Sequence, residues 1–212
     1  MTKKLRTFLK LIPSFVLFGV SLLSSETAFA QQSCTEVFYS GNTSQLYSGG
    51  KTYTISSSRS VRGWSYKGGT IASYVIFNGQ VSQVIVEKFT PERGFERKLH
   101  TVKISNSDSI LGWDWDEKTN RASYMFYDGQ KTVVRVQDFF GDRFGGVRST
   151  TTVSNSRLDK YSSSWTLYNG VAEYTLRQQT LKKEEFSNGT FGSVLETTSY
   201  NSANSIAGRS CY

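Results

Sequence analysis

Residues 72–80 read ASYVIFNGQ, and fifty residues later the chain reads ASYMFYDGQ over 122–130, with five of nine positions identical. Each copy is a β-prone run ended by Asn78-Gly79 or Asp128-Gly129. These dipeptides favour the two-residue type I′ turn, which needs positive φ at both central positions and matches the twist of the flanking strands. Each copy therefore predicts a hairpin. The likeness continues past the turn, where Val84, Val86 and Phe89 correspond to Val134, Val136 and Phe139, and before it, where Gly63-Trp64 corresponds to Gly112-Trp113. A third copy, SSWTLYNG over 163–170, arrives only 41 residues later and is degraded. A repeat of about fifty residues thus occupies 63–106 and 112–155, with a degraded unit near 161–200.

In the type I′ register Val75 faces Ser82 and Ser73 faces Val84. Both faces of such a hairpin are substantially apolar near the turn, whereas a sheet with one wet side alternates more cleanly. The second face is therefore at least partly covered. No stretch carries the periodicity of an amphipathic helix, and the chain is rich in Ser, Thr, Tyr, Val and Phe, so the domain is all-β. The connections near residues 92, 142 and 188 are short. An antiparallel up-and-down meander of about ten strands predicts a closed barrel, which leaves no exposed edge. A two-sheet β-sandwich is the alternative, and two good copies are too few blades for a propeller. The short connections on both sides and the polar final segment argue against an outer-membrane barrel.

Residues 1–30 belong to a different kind of segment. Lys3, Lys4, Arg6 and Lys10 precede an apolar run over 11–23, and Ala28-Phe29-Ala30 offers the small-x-small cleavage pattern. This predicts a signal peptide over 1–30 and a single domain over 31–212, secreted or periplasmic, or held at the cell surface, with no stable membrane insertion after cleavage. The segment accounts for +3 of the chain's formal charge of +8, leaving +5. That excess is too modest to imply nucleic acid as a partner. The two cysteines, Cys34 and Cys211, bracket the domain, and an isolated pair in an oxidising compartment is most simply a disulfide.

Residues able to carry chemistry are few. His100 is the one histidine, which excludes a multi-histidine metal site, and no nucleophile elbow points to a serine triad through it. In GWDWDEKTN, residues 112–120, Asp114 and Asp116 project from one strand face and Trp113 and Trp115 from the other. The two carboxylates are weak Ca²⁺ candidates that lack the EF-hand glycine and terminal glutamate. As a paired acid and base they also suit glycoside hydrolysis, and the plainer reading is a solvated strand end. Trp64, Trp113 and Trp165 recur at related places in their units. With Tyr74 and Tyr124 they are the candidate ligand-binding residues, although repeated aromatics also serve repeated packing. No catalytic residue and no cofactor is identified. The expected function is an exported, non-enzymatic barrel that binds a small, largely apolar molecule. The alternatives are a surface module recognising glycan or protein through exposed aromatics, and an enzyme using His100 or Asp114 and Asp116. Burial of all four tryptophans would remove the main support for the exposed-aromatic module.

Overall fold

The computed structural model describes residues 33–161, 163–176, 180–199 and 206–212, so the expected signal segment lies outside the described residues. Among these, sixteen strands form four antiparallel sheets of four. β1 (Cys34–Ser40), β2 (Thr43–Ser48) and β3 (Lys51–Ser56) open the first sheet. The second holds β4 (Val61–Tyr66), β5 (Ile71–Phe77), β6 (Ser82–Thr90) and β7 (Gly94–Ser105). The third holds β8 (Ile110–Asp116), β9 (Arg121–Tyr127), β10 (Thr132–Phe139) and β11 (Phe144–Ser154). The fourth holds β12 (Trp165–Tyr168), β13 (Val171–Leu176), β14 (Thr180–Ser187) and β15 (Thr190–Ser199), and β16 (Ile206–Cys211) returns to pair with β1 and complete the first sheet. The inner strands β4, β8, β12 and β16 pack on one another in cyclic order, so the sheets stand as blades around a common axis.

The fold is a four-bladed β-propeller, which corrects both the closed barrel and the sandwich expected from the sequence. The physical reason lies in the two apolar hairpin faces. In a barrel one face lines an interior, but a blade is sandwiched between two neighbours and buries both. Val75, Val84 and Val86 accordingly pack against the third blade, while Ala72, Tyr74 and Ile85 pack against the first. There is no barrel interior to hold an apolar ligand, and the strand count of about ten is likewise corrected to sixteen among the described residues.

The turns also differ from expectation. Phe77 pairs with Ser82 and Tyr127 with Thr132, so the loops at Asn78-Gly79 and Asp128-Gly129 span four residues rather than two. The side chain organises each turn. Asn78 Oδ1 accepts from Gln80 N at 3.0 Å and Val81 N at 2.9 Å, and Asp128 Oδ1 accepts from Gln130 N and Lys131 N at 2.9 Å each. This local side-chain bonding is the alternative to positive φ that Asn and Asp offer in turns. It places Val75 opposite Val84, not Ser82. Asn169-Gly170 and Asn188-Gly189 do have positive φ at both residues, and they close two-residue turns.

Three of the four blade interfaces are built alike. Trp64, Trp113 and Trp165 are fully buried, and each leans back onto the preceding blade. Their indole N–H groups donate to Thr35 Oγ1 at 2.7 Å, Ser73 Oγ at 2.8 Å and Ser123 Oγ at 2.8 Å, all on the second strand of that preceding blade. Behind each indole lies the tyrosine paired with it across its own sheet, Tyr74, Tyr124 or Tyr174, whose hydroxyl bonds Glu87, Gln137 or Glu184. Glycine before the tryptophan lets the inner strands meet. A Cβ at Gly112 would lie 2.7 Å from the Trp165 nitrogen, and at Gly63 one would lie 2.4 Å from that of Trp113.

The fourth interface, between the fourth and first blades, uses different chemistry. Arg209 occupies the tryptophan position, Glu36 the tyrosine position and Glu173 the hydroxyl position, as their strand registers show. Arg209 reaches Glu36 at 3.2 Å and Glu173 at 3.3 Å, and Lys183 adds contacts to Glu173 at 3.7 Å and Glu196 at 2.8 Å. Arg–Glu pairing thus replaces the indole stack at the seam where the ring closes. The same seam carries the disulfide, for Cys34 and Cys211 are directly paired in the β1–β16 ladder and bonded across 177 residues.

Candidate functional site

The residues two positions after each tryptophan project toward the preceding blade at the far end of the inner strands. In the second blade this residue is Tyr66, in the third Trp115 and in the fourth Leu167. Tyr66 packs edge-on against Phe89 at 5.2 Å, and Trp115 packs against Phe139 at 5.2 Å, with its N–H donating to the Phe139 carbonyl. Leu167 packs against the cluster that holds Phe186 but lacks a ring. The consequence is visible in the voids. The recess beside Trp115 has a volume of about 60 Å³, whereas its counterpart beside Leu167 has about 580 Å³. The larger volume is that of a small-molecule pocket.

This recess runs between the third and fourth blades. Its floor is apolar, made by Ala122, Val136, Leu167 and Phe186, and its rim is polar, with Arg121, Ser149, Asn169 and Asn188. The outer end is closed by the β14–β15 turn. Gly189 holds φ at +81° there, and a Cβ on it would collide with the Ser149 side chain, so only glycine lets the turn seat against β11. Thr151 Oγ1 bonds the Gly189 carbonyl across the same contact.

The acids at the inner end are committed to structure. Asp114 is 3 % exposed, and its Oδ1 receives Lys67 Nζ at 2.6 Å and the Ser65 hydroxyl at 3.1 Å. Asp116 accepts from Lys118 N at 3.0 Å and the Thr119 hydroxyl at 2.8 Å, shaping the β8–β9 turn. The two carboxylates flagged together in the sequence therefore serve separate partners. Among the described residues no group of three or more acidic, histidine or cysteine side chains is placed to hold a metal ion.

The other candidates fall in the blade interfaces or on the rim of the fold. Trp64, Trp113 and Trp165 are fully buried, Trp115 is 6 % exposed, and Tyr74 and Tyr124 are buried beside them. None of the four tryptophans presents a ring face to solvent. Burial pushes the Tyr74 and Tyr124 hydroxyls up from their ordinary values, helped for Tyr74 by the Glu87 carboxylate. His100 lies exposed on β7, an outer strand, opposite Val86.

A second concentration of polar groups stands where the inner strands begin. The blade connections there repeat a serine spacing, Ser56, Ser58 and Ser60 and then Ser105, Ser107 and Ser109, whose hydroxyls bond one another at 2.8 to 3.2 Å. These loops bring together Arg59, Arg62, Asp108, Lys160 and Tyr161 around a recess of about 450 Å³. Arg62 grips Asp108 with two bonds, at 2.7 and 3.1 Å, and Lys160 reaches the same carboxylate at 2.5 Å. Burial opposes ionisation of Asp108, but the bonds from Arg62 and Lys160 win and hold its carboxyl below the ordinary range. Sequence reasoning missed Leu167 and this loop cluster. The serine spacing, recurring 49 residues apart, was the signal available for the latter.

No protein-family model and no curated protein matches the chain. Among solved structures it is similar to a protein from Lactobacillus plantarum, with a TM-score of 0.42 and 9 % identity over 80 % of this chain and 54 % of that one. It is also similar to apo AztD from Citrobacter koseri, at 0.40 and 8 % over 80 % and 55 %. Hsv2 from Kluyvelomyces marxianus follows at 0.38 and 12 % over 79 % and 56 %. The chain spans little more than half the length of these proteins, and likeness at this level carries no argument about function.

Proposed function

We propose that this protein is an exported, non-catalytic binding module that takes a small ring molecule in the recess between its third and fourth blades. The carrying observation is the substitution of Leu167 for the aromatic residue that fills the equivalent place one blade earlier. A void with an apolar floor and a hydrogen-bonding rim suits a ligand with one apolar face and polar edges, which describes both a substituted aromatic and a pyranose sugar. Binding is favoured over turnover because Asp114 and Asp116, the acids at the recess, are held by Lys67, Ser65 and the β8–β9 turn. Export rests on the cationic and apolar pattern of residues 1–30 and on the Cys34–Cys211 bridge, which suits an oxidising compartment.

The test is a titration of the mature protein, followed by nuclear magnetic resonance, with indole-type aromatics in one arm and methyl pyranosides in the other. The expected result is a saturable change at Leu167, Asn169 and Asn188 with one class, abolished by Leu167→Trp. Binding that survives Leu167→Trp unchanged, or no response to either class, would refute the reading.

A further inference from the structure

We propose that the recess at the start of the inner strands is a separate site for an oxyanion, a carboxylate or a phosphate or sulfate ester, read by the guanidinium of Arg59. The argument begins with charge. Three cations, Arg59, Arg62 and Lys160, line the recess with a single carboxylate, Asp108. Asp108 is already shared by two of them. Arg62 is only 3 % exposed, and its remaining N–H groups are spent on the Arg59 carbonyl at 2.8 Å, the Val61 carbonyl at 3.1 Å and the Tyr39 hydroxyl at 3.1 Å. Arg62 is therefore a clasp between loops.

Arg59 is held differently. Its guanidinium carbon lies 4.7 Å from the ring centre of Tyr39 and 4.8 Å from that of Tyr161, and these rings meet edge-on at 78° with centres 5.9 Å apart, so it sits in the corner between them. At most one of two perpendicular rings can lie on a face of the guanidinium plane, and the five N–H donors point out of its edge. The two rings hold Arg59 in place on the wall of the recess. Its Nε is buried, with no hydrogen-bond partner. A buried charged donor left without an acceptor is costly, and the other N–H groups of this half-buried side chain are those that a ligand in the recess can reach. A planar fork of donors matches a carboxylate or a tetrahedral oxyanion in two-bond geometry. The Ser58 and Ser60 hydroxyls and Asn78 border the same recess and supply further polar contacts.

This corner is assembled from distant chain segments. Tyr39 comes from β1, Arg59 from the connection between the first and second blades, and Tyr161 from the connection between the third and fourth, with its backbone N–H on Asp159 at 2.9 Å. The β11–β12 connection thus reaches across the start of the inner strands to complete a site on the opposite side.

The test follows the Arg59 Nε–H resonance of the oxidised, mature protein during titration with inorganic phosphate, sulfate and acetate, with chloride as the ionic-strength control. The expected result is a saturable shift with at least one oxyanion and none with chloride at matched ionic strength. Phosphate or sulfate outbinding acetate identifies an ester as the ligand group, and the reverse identifies a carboxylate. Arg59→Lys keeps the charge but loses the fork and should weaken binding about tenfold, the equivalent of one charge-assisted bond. Tyr161→Leu removes one wall of the corner that holds Arg59 and should weaken binding too. Leu167→Trp should leave it unchanged, because that substitution fills the other recess. A chloride response equal to that of the oxyanions, or unaltered binding in both Arg59→Lys and Tyr161→Leu, would overturn the proposal.

Discussion

The interface between the fourth and first blades can be converted to the chemistry of the other three, and the sign of the effect tests the account of the fold. Arg209 alone is first changed to Met. This leaves Glu36 without its partner and Glu173 with only Lys183, at 3.7 Å. The side chains of Arg209 and Glu36 are about a third exposed, 32 % and 36 %, so solvent screening discounts the loss, whereas Glu173 is only 15 % exposed. A cost of about 1–2 kcal/mol follows, between the values for surface and buried pairs. In a domain of this size that lowers the melting temperature by roughly 3–6 °C. The triple variant R209W/E36Y/E173S then supplies the indole, the stacked tyrosine and the hydroxyl acceptor present at the other interfaces. Lys183 keeps Glu196 at 2.8 Å, so no cation is stranded. Burying an indole and adding one aromatic pair is worth about 2–4 kcal/mol before packing strain, which removes roughly 1–3. The net lies between about −1 and +3 kcal/mol, so the triple should melt above R209M in calorimetry with the disulfide intact. A triple variant that melts below R209M would refute the claim that all four interfaces share one geometry.

Three further outcomes follow. Gly112→Ala forces a methyl to within 2.7 Å of the Trp165 nitrogen, and denaturant unfolding should show a loss of about 3 kcal/mol or more. Replacing Cys34 and Cys211 with Ser opens a loop with a sequence separation of 177 and should cost about 2–5 kcal/mol, read as a lower denaturant midpoint. Asp108→Asn should be less stable than the parent at neutral pH by about 2 kcal/mol. Because the folded carboxyl is held below its unfolded value, the parent's advantage is complete above the ordinary carboxylate range and fades as the pH falls through the folded value. Melting curves collected from pH 7 downward should therefore converge, and parallel curves would refute the assignment.

Much of this architecture was readable in the chain. The fifty-residue period, the hairpins and the all-β character came from ASYVIFNGQ and its copy, and the pairing of Cys34 with Cys211 from their isolation. The two apolar faces of the hairpin also held the answer to the architecture, since only a blade covers both. The count of blades was obscured by two circumstances. The first blade takes β1 to β3 from one end and β16 from the other, so no linear offset aligns it with its siblings. It also carries Arg209 and Glu36 where the other blades show Trp and Tyr, which removes the most visible mark of the repeat. The recess by Leu167 was illegible for another reason. It arises from what a leucine lacks relative to Tyr66 and Trp115, and that comparison needs the structural register. The turn at Asn78 was misjudged because the Asn78 side chain takes part in it, accepting from Gln80 N and Val81 N while Gly79 alone of the pair holds positive φ.

The ring's closure by β16 governs the order in which the chain can mature. Synthesis runs from the amino-terminal side, so Cys34 is made well before Cys211, 177 residues behind it. During that interval β1 has no inner neighbour, and its thiol stands ready for any exogenous disulfide. This sequence holds no third cysteine, so the waiting thiol has no wrong partner within the chain. Blades two to four can stack in succession as they appear, each needing only its predecessor. The last strand then zips onto the first, and oxidation locks a structure already complete. Because Cys34 and Cys211 face one another in the β1–β16 ladder, the disulfide reports that the ring has closed.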